Sequence, residues 1–95
     1  MKNAFDVCLT KSARKQLNKV PWHVAEKLEA WVDDVVNNGL FEVMKVKGWH
    51  DEPLKGVRQG QRSIRLSKAY RAIYTISQGG EVRLILIREV TKHEY

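Results

Sequence analysis

The hydrophobic pattern of the sequence changes its period near Gly60, and this change constrains the fold more than any other feature. Before Gly60, apolar residues recur at spacings of three and four, as on one face of a helix. After Gly60, three runs rich in β-branched and aromatic side chains, at 63–66, 70–76 and 82–90, are typical of strands. The segment Gln78-Gly79-Gly80-Glu81 suits a tight hairpin between the last two runs. The pattern therefore predicts an early helical part followed by a sheet.

Two helices are predicted between a first strand at Phe5–Leu9 and the later strands. The first has its apolar stripe at Ala13, Leu17 and Val20 and is expected to stop near Pro21. Proline also suits a first helical turn, so a second helix is predicted from Pro21 to the stop signal Asn37-Asn38-Gly39. Its stripe consists of Val24, Leu28, Trp31 and Val35. The two helices are expected to form an antiparallel hairpin.

The predicted element order is βααβββ, an α/β (α+β) fold in which the helix hairpin packs on one face of a twisted, mainly antiparallel sheet. Residues 40–60 are open, because their apolar positions fit a short helix and an irregular strand equally well. Those positions are Leu40, Phe41, Val43, Met44 and Val46. A chain of 95 residues is expected to form one domain, spanning 1–95.

Composition excludes the membrane-spanning and disulfide-stabilised classes. No run approaches the ~20 apolar residues that span a bilayer. The start Met-Lys-Asn-Ala-Phe-Asp places an acid where a signal peptide needs apolar residues, so we expect a cytoplasmic protein with no membrane partner. The single cysteine, Cys8, cannot form an internal disulfide, and its apolar neighbours predict that it is buried in the core.

The basic residues concentrate in the second half of a chain whose formal net charge is +6. Six of them lie between positions 55 and 71 with no acid among them: Lys55, Arg58, Arg62, Arg65, Lys68 and Arg71. Because like charges repel, such a run predicts a polyanionic partner. If the helices cover Ile64 and Tyr74, strand alternation places Arg65 and Arg71 together on the uncovered face. This pair could bind a phosphate through bidentate hydrogen bonds, or simply solvate that face.

The C-terminal segment offers a group for proton transfer. His93 follows the last strand and lies at the rim of the predicted sheet. A histidine can accept or donate a proton near neutral pH, which suits phosphodiester cleavage, although a polar tail residue is the alternative. His50 is ambiguous, because its loop leads into the basic run. The acidic pairs Asp33-Asp34 and Asp51-Glu52 have no histidine at ligand spacing, so we expect neither a metal nor another cofactor.

Four segments together resemble the RelE/ParE superfamily of type II toxins over the whole chain. They are Leu54-Lys-Gly56, Arg62-Ser-Ile-Arg-Leu66, Tyr70-Arg-Ala-Ile-Tyr74 and Glu89-Val-Thr-Lys-His-Glu-Tyr95. The resemblance implies a small βααβββ fold and a cognate antitoxin as partner. It also implies one of two activities: RelE-like and HigB-like members cleave mRNA in the ribosomal A site without metal, and ParE-like members inhibit DNA gyrase.

The resemblance also assigns roles to residues. The arginine of the Tyr-Arg strand corresponds to Arg71, and one basic position of the preceding strand to Arg65. The other basic position falls on Ser63 or is displaced to Arg62. His93 and Tyr95 match a C-terminal histidine or tyrosine that acts as acid, base or stacking group. We therefore expect a metal-independent endoribonuclease with catalytic residues Arg71, His93, Arg65 and Tyr95.

Further basic residues are expected to contact mRNA and ribosomal RNA: Lys45, Lys47, Lys55, Arg58, Arg62 and Lys92. Two alternatives stay open. One is a ParE-like protein that binds DNA gyrase without chemistry of its own. The other is an inactive relative that binds RNA without cleaving it, in a salt-sensitive manner.

Overall fold

The computed structural model describes residues 4–79 and 82–92, which form three α-helices and five strands. In chain order they are β1 (Ala4–Leu9), α1 (Lys11–Leu17), α2 (Trp22–Asn38), α3 (Leu40–Met44), β2 (Glu52–Pro53), β3 (Arg62–Arg65), β4 (Tyr70–Gly79) and β5 (Val82–Lys92). None of the helices in these residues is long and apolar enough to cross a membrane. The predicted combination of early helices and later strands is confirmed.

The strands form one sheet in the order β1-β5-β4-β3-β2. The pairs β2–β3, β3–β4 and β4–β5 are antiparallel, and only β1 lies parallel to its neighbour, β5. The prediction of a mainly antiparallel sheet is therefore confirmed. The two longest strands, β4 and β5, lie at its centre, so they position the side chains of both faces.

The hydrophobic core lies between the helices and one face of the sheet. All four residues of the predicted α2 stripe are at most 2% exposed. From the sheet, Ile64, Tyr74 and Ile87 pack into the same cluster. Full burial of such a side chain contributes about 1.5–3 kcal/mol. The helices thus cover the face of Ile64 and Tyr74. This is the condition under which strand alternation places Arg65 and Arg71 on the uncovered face.

The segment between α2 and β3 contains more structure than its pattern indicates. It forms the short helix α3, a 3-10 turn at Lys47–Trp49, the two-residue strand β2 and a second 3-10 turn at Gly56–Arg58. The short-helix alternative is therefore correct for Leu40–Met44. The helix α1 is shorter than predicted and ends at Leu17, with Asn18 as its C-cap. Val20 still packs against the core from outside the helix.

The prediction that Cys8 is buried is wrong, since its side chain is exposed. Phe5 is buried, and Val7 and Leu9 pack against the core. Successive side chains of a strand point to opposite faces. Cys8 therefore projects from the sheet face opposite the helices, although its sequence neighbours are apolar.

An irregularity in β5 changes what the uncovered face looks like. Ile73 pairs with Glu89, but the next residue, Tyr74, pairs with Ile87, so Arg88 is an extra residue in β5. This bulge keeps Tyr74 on the helix side. Ile73 lies on the opposite face and yet is fully buried. The face that the sequence predicts to be uncovered is therefore partly covered near its centre.

Candidate functional site

Arg65 and Arg71 are direct cross-strand partners on β3 and β4. Directly opposite residues in an antiparallel pair have Cβ atoms about 4.5–5.5 Å apart and project from the same face. Thr91 of β5 continues this row on the other side of Arg71. The predicted juxtaposition of the two arginines on one sheet face is therefore what the strand register produces.

The two arginines line an open cleft of about 130 Å³ at the end of the sheet. Its other lining residues come from the segment 50–54, from β3, from the β3–β4 connection and from the start of β4: His50, Glu52, Leu54, Ser63, Ile64, Ser67, Lys68 and Tyr70. The cleft thus combines cations, hydroxyl groups, one imidazole and one carboxylate. These are the side chains that bind a phosphate and exchange protons with it.

Arg71 carries an unsatisfied hydrogen-bond donor. Its Nε atom is buried and has no partner within residues 4–79 and 82–92. In the same part of the chain, neither Arg65 nor Arg71 forms an ion pair. A buried donor without an acceptor costs about 1–3 kcal/mol, and more when the group is charged.

His50 enters the cleft from a constrained turn. It follows the 3-10 turn at Lys47–Trp49 and has φ 47° and ψ 48°, the left-handed conformation. It has the only positive φ among the described residues other than glycine. Such a conformation costs about 1–3 kcal/mol and persists only where the surrounding structure enforces it. Two residues later, Glu52 pairs with Ser63 and extends the sheet beside the arginines.

Arg62 has a different environment from Arg65. It pairs with Tyr74 across β3 and β4, and its Nε donates to Asp51 Oδ1 at 2.6 Å. The Tyr74 hydroxyl donates to Asp51 Oδ2. Burial, together with the Asp51 carboxylate, raises the pKa of Tyr74 well above its usual range. Burial is the largest single effect on the pKa of Arg62 and lowers it, but the hydrogen bond to Asp51, the charge of Asp51 and the neighbouring Tyr74 together outweigh burial, so the pKa is raised.

Arg58 is bound across the face that carries Arg71. Its Nη1 and Nη2 donate to the two carboxylate oxygens of Glu89 at 2.6 and 3.3 Å, which raises the pKa of Arg58. Glu89 is the cross-strand partner of the buried Ile73. The loop between β2 and β3 thus folds over this face and explains the burial of Ile73.

The remaining predicted nucleic-acid contacts are dispersed. Lys47, Lys55 and Lys92 are exposed, and Lys45 forms an ion pair with Glu42 at 2.9 Å. None of these four lysines lines the cleft. His93 and Tyr95 lie outside the described residues, directly after the last described residue of β5. No group of three metal-ligating side chains is found in the described part of the chain.

Comparison of the structure with solved structures gives full-length matches. A YoeB/ParE toxin from Agrobacterium tumefaciens is 18% identical with a TM-score of 0.72, over 94% of this chain and 99% of that one. YafQ from Escherichia coli is 17% identical with a TM-score of 0.73, over 93% and 92% of the two chains. A chain of the RelBE2 toxin–antitoxin complex from Mycobacterium tuberculosis is 21% identical with a TM-score of 0.67, over 95% of this chain and 99% of that one.

The chain has the RelE/ParE toxin fold. The predicted fold class and the resemblance to this superfamily are thus confirmed at the level of architecture. Neither the family models nor the curated protein sequences give a match. At these identities the likeness lies in the backbone, so the function has to be inferred from the side chains of the cleft.

Several cleft residues were missed or left undecided by the sequence pattern. Alternation along β3 places Ser63 on the same face as Arg65, which is a usable signal in the sequence. His50 and Glu52 had no such signal, because a two-residue strand shows no period. Tyr70 and Ser67 become cleft residues only through the β3–β4 connection, where both Ser67 N and Leu66 N donate to Tyr70 O.

Proposed function

We propose that this chain is the toxin of a toxin–antitoxin pair and acts as an endoribonuclease that cleaves mRNA at the ribosome. The observation that carries the proposal is the cross-strand pair Arg65 and Arg71, which has no ion-pair partner in the described residues and exposes its cleft to solvent. The RelE/ParE fold supports it, since the solved structures with this fold include toxins.

The reaction that suits this cleft is attack of an mRNA 2′-hydroxyl on the adjacent phosphate. The 2′-oxygen loses its proton to a base and forms a bond to phosphorus, and the bond from phosphorus to the 5′-oxygen breaks. A cyclic phosphate remains, and the leaving 5′-oxygen takes a proton from an acid. Arg65 and Arg71 stabilise the additional negative charge of the pentacoordinate phosphorus.

Two sets of groups are candidates for the proton transfers. The sequence pattern and the family resemblance favour His93, with Tyr95 stacking on a base. The cleft itself contains His50 and Glu52, which line it together with the arginines. Outside the cleft, Lys45, Lys47, Lys55, Arg58 and Lys92 are the proposed contacts to the RNA backbone, whose phosphates attract basic side chains. Arg62 is not among them, because its guanidinium is bound to Asp51 on the helix face.

An antitoxin is the proposed protein partner. Solved structures with the same fold include toxin–antitoxin complexes: RelBE2 from Mycobacterium tuberculosis, DinJ–YafQ from Escherichia coli and YoeB–YefM from Staphylococcus aureus. An acidic segment that covers the cleft would supply the acceptors that Arg65 and Arg71 lack. The same two arginines would then contact the antitoxin in the complex and mRNA in the free toxin.

The experiment is to add the purified protein to translating ribosomes and to map the mRNA 5′ ends. We expect cuts at the ribosomal A site that disappear when the 2′-hydroxyl at the cut is replaced by hydrogen, and when the antitoxin is added. Arg71→Ala should lower the cleavage rate about 10²–10³-fold, the cost of losing one preorganised donor to a developing charge. Lys19→Ala, which changes an exposed lysine after α1, is the matched control and should cleave normally.

Two further variants, His50→Gln and His93→Gln, then distinguish the two candidates for proton transfer. Their cleavage rates should differ, and the variant that loses activity identifies the histidine that transfers the proton. Absence of cuts, or full activity of Arg71→Ala, would reject the nuclease. Inhibited DNA supercoiling with normal translation would instead support the gyrase binder.

A further inference from the structure

Asp51 is a buried carboxylate with both oxygens in use. Its side chain has 0% exposure. Oδ1 accepts the hydrogen bond from Arg62 Nε at 2.6 Å, and Oδ2 accepts that from the Tyr74 hydroxyl. Arg62 and Tyr74 are themselves cross-strand partners on β3 and β4. Asp51 is therefore fixed to a rigid part of the sheet at two points, through side chains that lie on the helix face.

The residues on either side of His50 are both anchored on the helix side. Trp49 is 8% exposed, belongs to the core cluster, and has Lys27 Nζ 4.7 Å from its ring centroid. Asp51 is held by Arg62 and Tyr74. Between these two anchors, His50 is exposed, adopts the left-handed conformation and lines the cleft. The anchors leave the backbone little freedom to relax, which explains why a histidine keeps this conformation.

We propose that Asp51, Arg62 and Tyr74 form a positioning network for the cleft, which holds His50 and Glu52 in place beside Arg65 and Arg71. The proposal rests on the proposed function, because it gives these residues a role in phosphodiester cleavage. Asp51, Arg62 and Tyr74 do not touch the substrate in this account. They act through the turn at His50 and through the pairing of Glu52 with Ser63.

Stability alone is a weak reason for such a network. Burying a charged pair has a desolvation cost that often matches or exceeds its attraction, and well-packed apolar residues can replace such pairs without loss of stability. A carboxylate that accepts from two fixed donors is instead held in one orientation, since each hydrogen bond allows a narrow range of angles. The fixed orientation of Asp51 also fixes the positions of its chain neighbours His50 and Glu52.

The test uses variants that break the network and keep the fold. Tyr74→Phe removes one hydroxyl and keeps the ring, whose centroid lies 5.0 Å from that of Trp31. Asp51→Asn is nearly isosteric and replaces one acceptor oxygen by a donor. Val35→Ala is the control for lost stability, because Val35 is buried in α2 and forms none of the hydrogen bonds of the network. For each variant we would measure kcat and KM for RNA cleavage, and the three-bond coupling between the amide and α protons of His50, which reports φ.

We expect kcat to fall about 10- to 100-fold in Tyr74→Phe and Asp51→Asn, the effect of misplacing a reacting group by about 1 Å. KM should stay unchanged, because Arg65 and Arg71 remain, and the His50 coupling should move towards that of an extended residue. Val35→Ala should keep the wild-type kcat and coupling. Folded Tyr74→Phe and Asp51→Asn proteins with wild-type coupling and kcat would overturn the proposal, as would an equal loss of kcat in Val35→Ala.

Failure of the proposed function is a separate outcome. If the wild-type protein cleaves no RNA, or if Arg71→Ala is fully active, the nuclease is rejected. The His50 coupling in Tyr74→Phe still decides whether the network fixes the turn.

Discussion

Tyr74 connects the hydrophobic core to the polar network beneath the cleft. Its ring is fully buried and packs against Trp31, while its hydroxyl donates to Asp51. Phenylalanine would keep the packing and lose the hydrogen bond. Asp51 would then rely on Arg62 alone. Since a hydrogen bond to a charged group contributes about 1.5–3 kcal/mol, we expect Tyr74→Phe to lower the free energy of unfolding by that amount at neutral pH.

The contribution of Tyr74 should depend on pH in a defined direction. Its pKa in the folded protein is raised above the ordinary value of 10.0. Above pH 10 the unfolded chain loses the tyrosine proton while the folded protein keeps it, so ionisation favours the unfolded state. The stability from Tyr74 is therefore fully present below pH 10 and declines above it. Urea unfolding of the wild-type protein and of Tyr74→Phe from pH 7 to 11 checks this. The difference between their free energies of unfolding should be constant up to pH 10 and smaller above it. A difference that stays constant to pH 11 would contradict the raised pKa of Tyr74.

The basic run shows what local sequence can and cannot predict about single residues. Strand parity was sufficient to place Arg65 beside Arg71, because both lie in regular strands with a fixed register. Parity could not show that Arg62 and Arg58 have carboxylate partners. Those partners, Asp51 and Glu89, lie 11 and 31 residues away in the chain and meet the arginines only after folding. A run without acids was therefore not a run without ion pairs.

Among the elements, the junction of α2 and α3 depends most on one residue. Gly39 has φ 84° and ψ 146°; its N–H donates to Val35 O at the end of α2, and its carbonyl accepts from Val43 N in α3. This conformation is nearly exclusive to glycine. A Cβ at this position would also lie 3.4 Å from Phe5 Cε2. The glycine thus lets two helices follow one another with a sharp change of direction.

We expect Gly39→Ala to lower the free energy of unfolding by about 1–3 kcal/mol, the cost of a strained backbone at this φ. Gly48→Ala is the matched control, because a Cβ at Gly48 meets no atom within 4 Å and its φ is not positive. Its effect should stay within about 0.5 kcal/mol. Thermal or urea unfolding of both variants checks this, and equal losses in the two proteins would contradict it.

The longest elements were the ones that the sequence predicted most clearly. α2 has 17 residues, enough for its period to be unambiguous, and β4 and β5 have 10 and 11. α3 and β2 have five and two residues, too few to distinguish a helix from a strand. The cleft is bordered by β2 and by connecting segments, so the part of the candidate site formed by His50 and Glu52 could not be derived from periodicity.

At the scale of the molecule, charge is unevenly distributed among the layers. Residues 22–44, which contain α2 and α3, carry five acidic side chains and one basic one. The remaining residues are therefore more basic than the net charge of +6 suggests. Lys11, Arg14, Lys15 and Lys19, in and after α1, are exposed. Because a polyanion avoids the acidic layer, the charge distribution favours approach to the sheet face or to α1.

The salt dependence of RNA binding separates these two surfaces. An RNA whose 2′-hydroxyls are methylated binds without being cleaved. The logarithm of its affinity falls with the logarithm of salt concentration by about 0.7 for each neutralised phosphate of a single strand. If the cleft binds a phosphate, Arg65→Gln and Arg71→Gln should each make this slope shallower by up to about 0.7. Arg62→Gln should leave the slope unchanged, because Asp51 already neutralises that guanidinium on the helix face.

Arg14→Gln supplies the decisive comparison, since Arg14 is an exposed arginine of α1. With RNA on the sheet face, its slope should equal that of the wild-type protein. A shallower slope for Arg14→Gln, with wild-type slopes for Arg65→Gln and Arg71→Gln, would move the RNA to α1 and reject the cleft as the phosphate site. The affinities are measured between 50 and 300 mM salt, after circular dichroism has shown that each variant is folded. The experiment therefore tests which surface of a basic protein meets the polyanion, independently of whether the RNA is cleaved.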